Sequence, residues 1–240
     1  MTEPALSGPR LLVVNADDFG LSAGVNAGIL HAARHGIVTS ASLMVRAPAA
    51  AEAARAVQPR TGLSVGLHLD LAEWMHDGSQ WLPLYQVIDT DDAGQVSAEI
   101  DRQLAAFFAL VGRAPTHIDS HQHVHRVEPV HSLVSALGAR LGVPVRGATP
   151  GIEYRGDFYG QTGRGEPYRE AITVEALCAV IRTLPPGFTE LGCHPGYSDG
   201  LVSVYALERE AEARVLCEPA VLDEVRGADV KLVSMAAVAC

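Results

Sequence analysis

The stretch Leu11-Leu12-Val13-Val14-Asn15-Ala16-Asp17-Asp18-Phe19-Gly20 constrains the fold most. Four consecutive apolar residues closed by a turn signal read as a strand buried on both faces, and such strands belong to parallel sheets covered by helices. The strand runs into two adjacent carboxylates, which repel each other when both are ionised and desolvated. Solvent, a shared proton or a cation must make the pair tolerable; we expect a cation.

Short apolar runs alternate with amphipathic ones along the rest of the chain. The spacing predicts a helix from Ser22, as N-cap, to about His35, a strand over 38–45, a helix over 47–57 and a strand over 63–69. A helix over 96–111 closed by Gly112, a strand over 116–119, a helix over 129–141 and a strand over 143–146 follow. Helices over 174–184 and 205–216 and strands over 188–193 and 230–233 complete the pattern. The segments 70–95 and 150–168 show no periodicity and read as long loops, which in a compact domain are usually functional or disordered.

A βαβα order implies an α/β fold with a parallel sheet. The glycine-rich dinucleotide fingerprint of an open doubly wound sheet is missing after the first strand, where Ala-Asp-Asp-Phe-Gly stands instead. A barrel-like α/β architecture is therefore expected, as a single domain over 1–240 with 1–9 as a loose tail.

A formal net charge of −10 over 240 residues leaves no basic face for nucleic acid or anionic membranes. The chain is 48% hydrophobic, which excludes wholesale disorder. No apolar run reaches bilayer length, and the N-terminus carries no apolar signal segment. Cys178, Cys193, Cys217 and Cys240 show no CxxC spacing and fit reduced thiols, so a cytoplasmic protein is expected.

The polar residues gather at strand ends. Asp17 and Asp18 follow the first strand and His68 closes the third. His117, Asp119, His121, His123 and His125 lie at or beyond the next, Arg146 ends the fifth, and His194 follows the strand over 188–193. Parallel strands bring these ends to one face, where active sites of this architecture form. Carboxylates with several imidazoles are the donors of a divalent metal site. In the His121–His125 run, an extended chain would put three rings on one face, and a helix would align only His121 and His125. His31, His35, His76 and His131 fall in helix or loop text and receive no role. Cys193 and His194, as neighbours on a strand, point to opposite faces, so Cys193 reads as core.

Four motifs, Asn15-Ala-Asp-Asp-Phe-Gly20, Gly66-Leu-His-Leu69, Thr116-His-Ile-Asp-Ser-His-Gln-His-Val-His125 and Cys193-His-Pro-Gly-Tyr197, together resemble the YdjC-like carbohydrate deacetylases, which include chitooligosaccharide and hopanoid-associated deacetylases. The resemblance runs from about Leu11 to the C-terminal helices. It implies a distorted, TIM-like (β/α) barrel and divalent-metal-dependent removal of acetyl from an N-acetylated sugar. Matched motif to motif, it places metal on His68 and His121 with Asp18 as third ligand, and makes Asp17 the base. In that scheme a protonated His194 gives its proton to the leaving amine, Arg146 keeps Asp17 ionised, and Asp119 or His117 orients a ligand ring. The metal is expected to be Mg²⁺ or Zn²⁺. Trp74, Phe158 and Tyr159 serve either to stack on sugar or to pack against a second subunit, so a homodimer is one expectation. The rival readings are a metal-dependent phosphoesterase on a similar barrel, an iron oxygenase with two His and one carboxylate, and a catalytically silent sugar-binding protein.

Overall fold

A computed structural model describes residues 8–57, 62–201, 203 and 205–238; residues 1–7 of the expected tail and Cys240 lie outside them. The first strand, β1 (Arg10–Phe19), is buried from Leu12 onward on both faces. Ser22 caps α1 (Ala23–His35), its hydroxyl accepting from the Val25 N–H. β2 (Ser40–Leu43), α2 (Ala50–Ala56) and β3 (Ser64–Leu69) follow. The segment read as one long loop contains an antiparallel hairpin, β4 (Ala72–His76) and β5 (Trp81–Gln86).

α3 (Ala93–Val111) is capped by Asp92 and closed by Gly112 in the left-handed region, φ 74°. β6 (Ile118–Ser120) leads into a 3-10 turn over His121–Arg126 and then α4 (Val130–Leu141). The second expected loop carries β7 (Ile152–Arg155). α5 (Val174–Arg182), β8 (Gly187–Cys193), α6 (Ala206–Val215), α7 (Pro219–Gly227) and β9 (Val230–Leu232) complete the chain. α7 goes unread in the sequence despite its proline in the first turn, a helix-start signal.

The main sheet is parallel throughout, in the order β6-β3-β2-β1-β8-β7. β1 is long enough to serve two neighbours on one side: Arg10–Leu12 pair with β9, and Asn15 and Ala16 pair with β2. The sheet curls into a half-barrel whose two rims, β6 and β7, share no ladder. A single bridge, Ile118 to Val145, spans toward the gap. The strand expected over 143–146 is thus reduced to one residue. The Val145 N–H turns back to Thr149 Oγ1 at 2.8 Å, and Gly147 takes a left-handed φ of 67°, so the ladder cannot propagate. Helices cover the outer face and bury one contiguous apolar core against the strands. No helix among the described residues is long and apolar enough to cross a membrane.

Candidate functional site

Asp17 and Asp18 leave β1 in different directions because the strand does not stay extended. Asp18 sits in the left-handed region at φ 62°, a strained conformation for a side-chain-bearing residue that typically costs on the order of 1–3 kcal/mol. Pairing with β2 shifts register between Ala16 and Phe19 at the same point. The repulsion expected between the neighbours is relieved by giving each its own guanidinium. Arg146 donates to both oxygens of Asp17, at 2.6 and 2.7 Å. Arg209, from α6, donates to Asp18 Oδ2 at 2.6 Å.

The other Asp18 oxygen faces two imidazoles: Oδ1 lies 3.0 Å from His121 Nδ1 and 3.2 Å from His68 Nε2. β3 and β6 are in register at His68 and Asp119, and Asp119 Oδ1 lies 2.8 Å from His68 Nδ1. That contact holds the proton on Nδ1 and turns Nε2 toward Asp18, the usual way a carboxylate orients a ligand ring. Asp119 is itself fixed through Oδ2 by Ser42 at 2.6 Å and Arg146 at 2.7 Å.

The donor set fits a cation. His68 Nε2 and His121 Nε2 are buried and make no well-formed hydrogen bond, each facing only a carboxylate, Asp18 Oδ1 at 3.2 Å and Glu73 Oε2 at 3.8 Å, a costly condition for polar atoms unless a cation joins them. Asp18, His68 and His121 can each offer an atom within 4.8 Å of the others. A second trio, Asp17, His68 and Asp119, is equally close, but its carboxylates are already engaged by Arg146 and, for Asp119, by His68 Nδ1. Electrostatics agree with the first trio. Burial works against charge on both rings, yet Asp119 raises His68 to about 10 and Asp18 raises His121 to about 9. The site therefore draws in positive charge. Asp18 stays well below the ordinary carboxylate range: burial opposes this, but Arg209 and His121 prevail. Arg146 does the same for Asp17 against burial.

His194 follows β8 and is fixed through its backbone. Its N–H donates to Glu212 of α6, and the Tyr205 hydroxyl donates to the other Glu212 oxygen. The ring stands edge-on to Tyr159 and Tyr205, with Nε2 3.7 Å from Asp17 Oδ2. Burial pushes His194 down to about 4. The resting ring is thus neutral near pH 7, where the expected role begins from a protonated one.

The histidine run is neither extended nor helical. Gln122 and His123 take left-handed φ values of 49° and 56°, and the rings diverge. His121 faces Asp18, His123 Nε2 lies 3.3 Å from the Tyr154 hydroxyl, and His125 is buried between Ser120 Oγ and the Arg146 carbonyl. His117 is packed against Gly66 and stands 3.2 Å from Ser42 Oγ. The sequence conceals Arg209 and Glu212. They lie in a highly charged amphipathic helix whose buried face carries Glu208, Arg209, Glu212 and Ala213. Charges at the spacing of a core-facing stripe were the available signal. Glu190, buried mid-strand and accepting from Arg146 Nε at 2.7 Å, was signalled by its place in an apolar run. Cys193 is core, fully buried with its thiol pushed well up by burial.

These groups open on a cavity of about 820 Å³. Its walls include Phe158, Tyr159 and Tyr205 on one side and Trp74 and Trp81 of the hairpin on another.

A model of the family described as YdjC-like protein matches residues 11–226. Among curated proteins, a carbohydrate deacetylase of Geobacillus stearothermophilus is 34% identical, over 94% of this chain and 97% of that one. A chitooligosaccharide deacetylase of Enterobacter sp. (strain 638) is 35% identical, over 88% of this chain and 92% of its own. Among solved structures, a protein of Enterococcus faecalis V583 superposes with a TM-score of 0.80 at 24% identity, over 97% of this chain and 100% of that one.

Proposed function

The chain belongs to the YdjC-like family, and on that premise we propose that it hydrolyses the acetyl group from an N-acetylated sugar, with Asp18, His68 and His121 holding a divalent metal. The observation that carries the reading is Asp18 Oδ1 set between His68 Nε2, which has no hydrogen-bond partner, and His121 Nδ1, beside an Asp17 oriented by Arg146. Two imidazoles and one carboxylate suit Zn²⁺ better than the oxygen-preferring Mg²⁺. When bound, the cation would polarise the acetyl carbonyl and acidify a water.

Asp17 takes the proton from the attacking water as general base. Its depressed proton affinity makes it a weak base but a ready donor onward. His194 Nε2, 3.7 Å away, receives that proton and delivers it to the nitrogen of the breaking C–N bond. Water and amide are thereby consumed, and acetate and a free amine are formed. Glu212 and Tyr205 keep His194 at this station, and Asp119 keeps His68 turned toward the metal position.

The phosphoesterase reading loses support from the same contacts. Arg146 and Arg209, the buried guanidiniums of the site, are committed to Asp17, Asp119, Glu190 and Asp18. Free thiols at Cys178, Cys193 and Cys217 support a reducing, cytoplasmic setting. Acetate release from a panel of N-acetylated sugars, with and without chelator, tests the proposal. Metal-dependent acetate is expected, and its absence with every sugar and every added metal would overturn the reading.

A further inference from the structure

A second cavity, of about 430 Å³, opens at the gap between the rims β6 and β7. It is lined by Arg126, His131, Arg146, Gly147 and Tyr154, with no carboxylate among them. That composition stands out in a chain with 28 acidic residues against 18 basic ones. A concave surface of one sign concentrates the opposite charge, so this one draws anions. Arg126 and Tyr154 also line the large cavity that holds Asp17 and Asp18, so the two spaces share a wall.

The two guanidiniums of the second cavity differ in what they are free to do. Arg146 is buried, and its N–H groups are taken by Asp17, Asp119 and Glu190. Arg126 is exposed, and its guanidinium makes no hydrogen bond or ion pair with any described residue. Its Cζ lies 4.9 Å from the centroid of the Tyr154 ring, as does that of Arg146. Stacking of this kind uses the face of a guanidinium and leaves the N–H groups at its edge free to receive a carboxylate side-on.

The shared wall has one fixed part and one free part. Tyr154 is seated against Gly192 and Gly156, where an added Cβ would come within 2.7 and 2.9 Å of it, and its hydroxyl lies 3.3 Å from His123 Nε2. Arg126 has no comparable restraint. Gly147 keeps the space beside it open, since a Cβ there would stand 3.6 Å from Arg126 Nε.

Deacetylation yields products of opposite charge. The amine stays on the sugar and, once protonated, is attracted by Asp17, Asp18 and Glu73 of the large cavity. Acetate forms beside Asp17, whose like charge repels it, while the sugar still stands in the mouth by which it entered. The guanidinium that pairs with Asp17, that of Arg146, is also a wall of the second cavity. Arg126 is the neighbouring cation with free N–H groups.

We propose that the second cavity is a binding site for the product acetate, where Arg126 receives the carboxylate and releases it through the gap between β6 and β7. This role rests on the deacetylase reading above; the affinity for a small carboxylate does not. In the metal-loaded enzyme, added sodium acetate would meet two sites. At the metal position it competes with substrate, and in the second cavity it binds with the sugar still present. Acetate should therefore lower kcat as well as raise KM, with sodium chloride at equal ionic strength as the control. Arg126→Met should weaken the effect on kcat by about tenfold, the scale of a lost charge-assisted hydrogen bond, and keep the effect on KM. Arg126→Lys should restore part of the first effect.

Line broadening of isotope-labelled acetate in the presence of each protein reads the site without turnover, and it should diminish in Arg126→Met. Broadening that depends on Arg126, in a protein that releases acetate from no sugar, would defeat the catalytic reading and leave the anion site standing. Inhibition confined to KM, or a kcat effect and broadening unchanged in Arg126→Met, would overturn the site itself.

Discussion

Arg146 and Asp17, 129 residues apart in the chain, meet side-on through two hydrogen bonds of 2.6 and 2.7 Å. A bidentate pair of this kind fixes the plane of a carboxylate as well as its charge. The same guanidinium reaches Asp119 and Glu190 at 2.7 Å each. One buried cation thus orients the proposed base, steadies the carboxylate behind His68 and ties β8 to both. Asp18, held by Arg209 through Oδ2, is left to face the imidazoles through Oδ1, and the two neighbouring aspartates have different partners.

That division predicts different losses. Asp17→Asn should keep the metal and lose activity by about 10²–10⁴-fold, the usual cost of a missing general base. His68→Ala should lose both metal and activity. Metal content and acetate release measured on the same preparations decide it; a metal-free Asp17→Asn protein would reverse the roles of Asp17 and Asp18.

Arg146→Met should destabilise by about 3–5 kcal/mol, because it strands buried carboxylates without a counter-charge. Glu190→Gln should cost far less. Burial pushes the Glu190 carboxyl up to about 7, and its Oε2 lacks a hydrogen-bond partner. Urea unfolding of the two variants compares them directly, and equal losses would contradict the account of Arg146 as the common counter-charge.

His125 is held neutral, pushed down to about 4 chiefly by burial, with Arg146 and Arg126 adding to the effect and Asp119 opposing it. An unfolded histidine titrates near 6.5, so between those values the unfolded chain binds the extra proton. This residue's contribution to stability therefore falls as pH drops from about 6.5 to about 4, by on the order of 1 kcal/mol per pH unit. His125→Gln should be less stable than the parent at pH 7, with the gap narrowing toward pH 4. Glu190 and Glu212, which titrate in the opposite sense, cancel in the difference. Parallel melting curves across that window measure it; a constant gap would refute the assignment.

Gly66→Ala should cost about 1–3 kcal/mol by overpacking. The added Cβ would stand 2.5 Å from the His117 ring. That ring cannot swing aside, since Thr116 Oγ1 and Ser42 Oγ hold its two nitrogens at 2.9 and 3.2 Å. His68 follows two residues along the same strand, so metal affinity should fall as well. Thermal unfolding and a metal titration check both parts, and a stable variant with parental affinity would exclude the coupling.

How far the sequence discloses this site depends on how local each cause is. The buried β1 and its two carboxylates are legible because both the apolar run and the repulsion lie within ten residues. His68 and His194 follow from the rule that parallel strands share an end. Arg209 and Glu212 escape, because α6 carries charge around its circumference and only tertiary packing decides which face is dry. The hairpin escapes for the opposite reason. Its exposed strands need no apolar alternation, and Asp77-Gly78 at the turn was its one clear mark. The His121–His125 run defeats both regular readings through two left-handed residues, which no periodicity encodes.

The open rim between β6 and β7 bears on how such an enzyme can change over evolutionary time. A continuous ladder there could be lengthened or slipped to admit larger substrates without disturbing chemistry elsewhere. Here Val145 bridges to Ile118 on the β6 side of the gap, and the next residue, Arg146, carries the guanidinium that orients Asp17. Widening the mouth there would therefore disturb the proposed base. Room gained at that rim is thereby coupled to the orientation of a carboxylate 129 residues away in the chain.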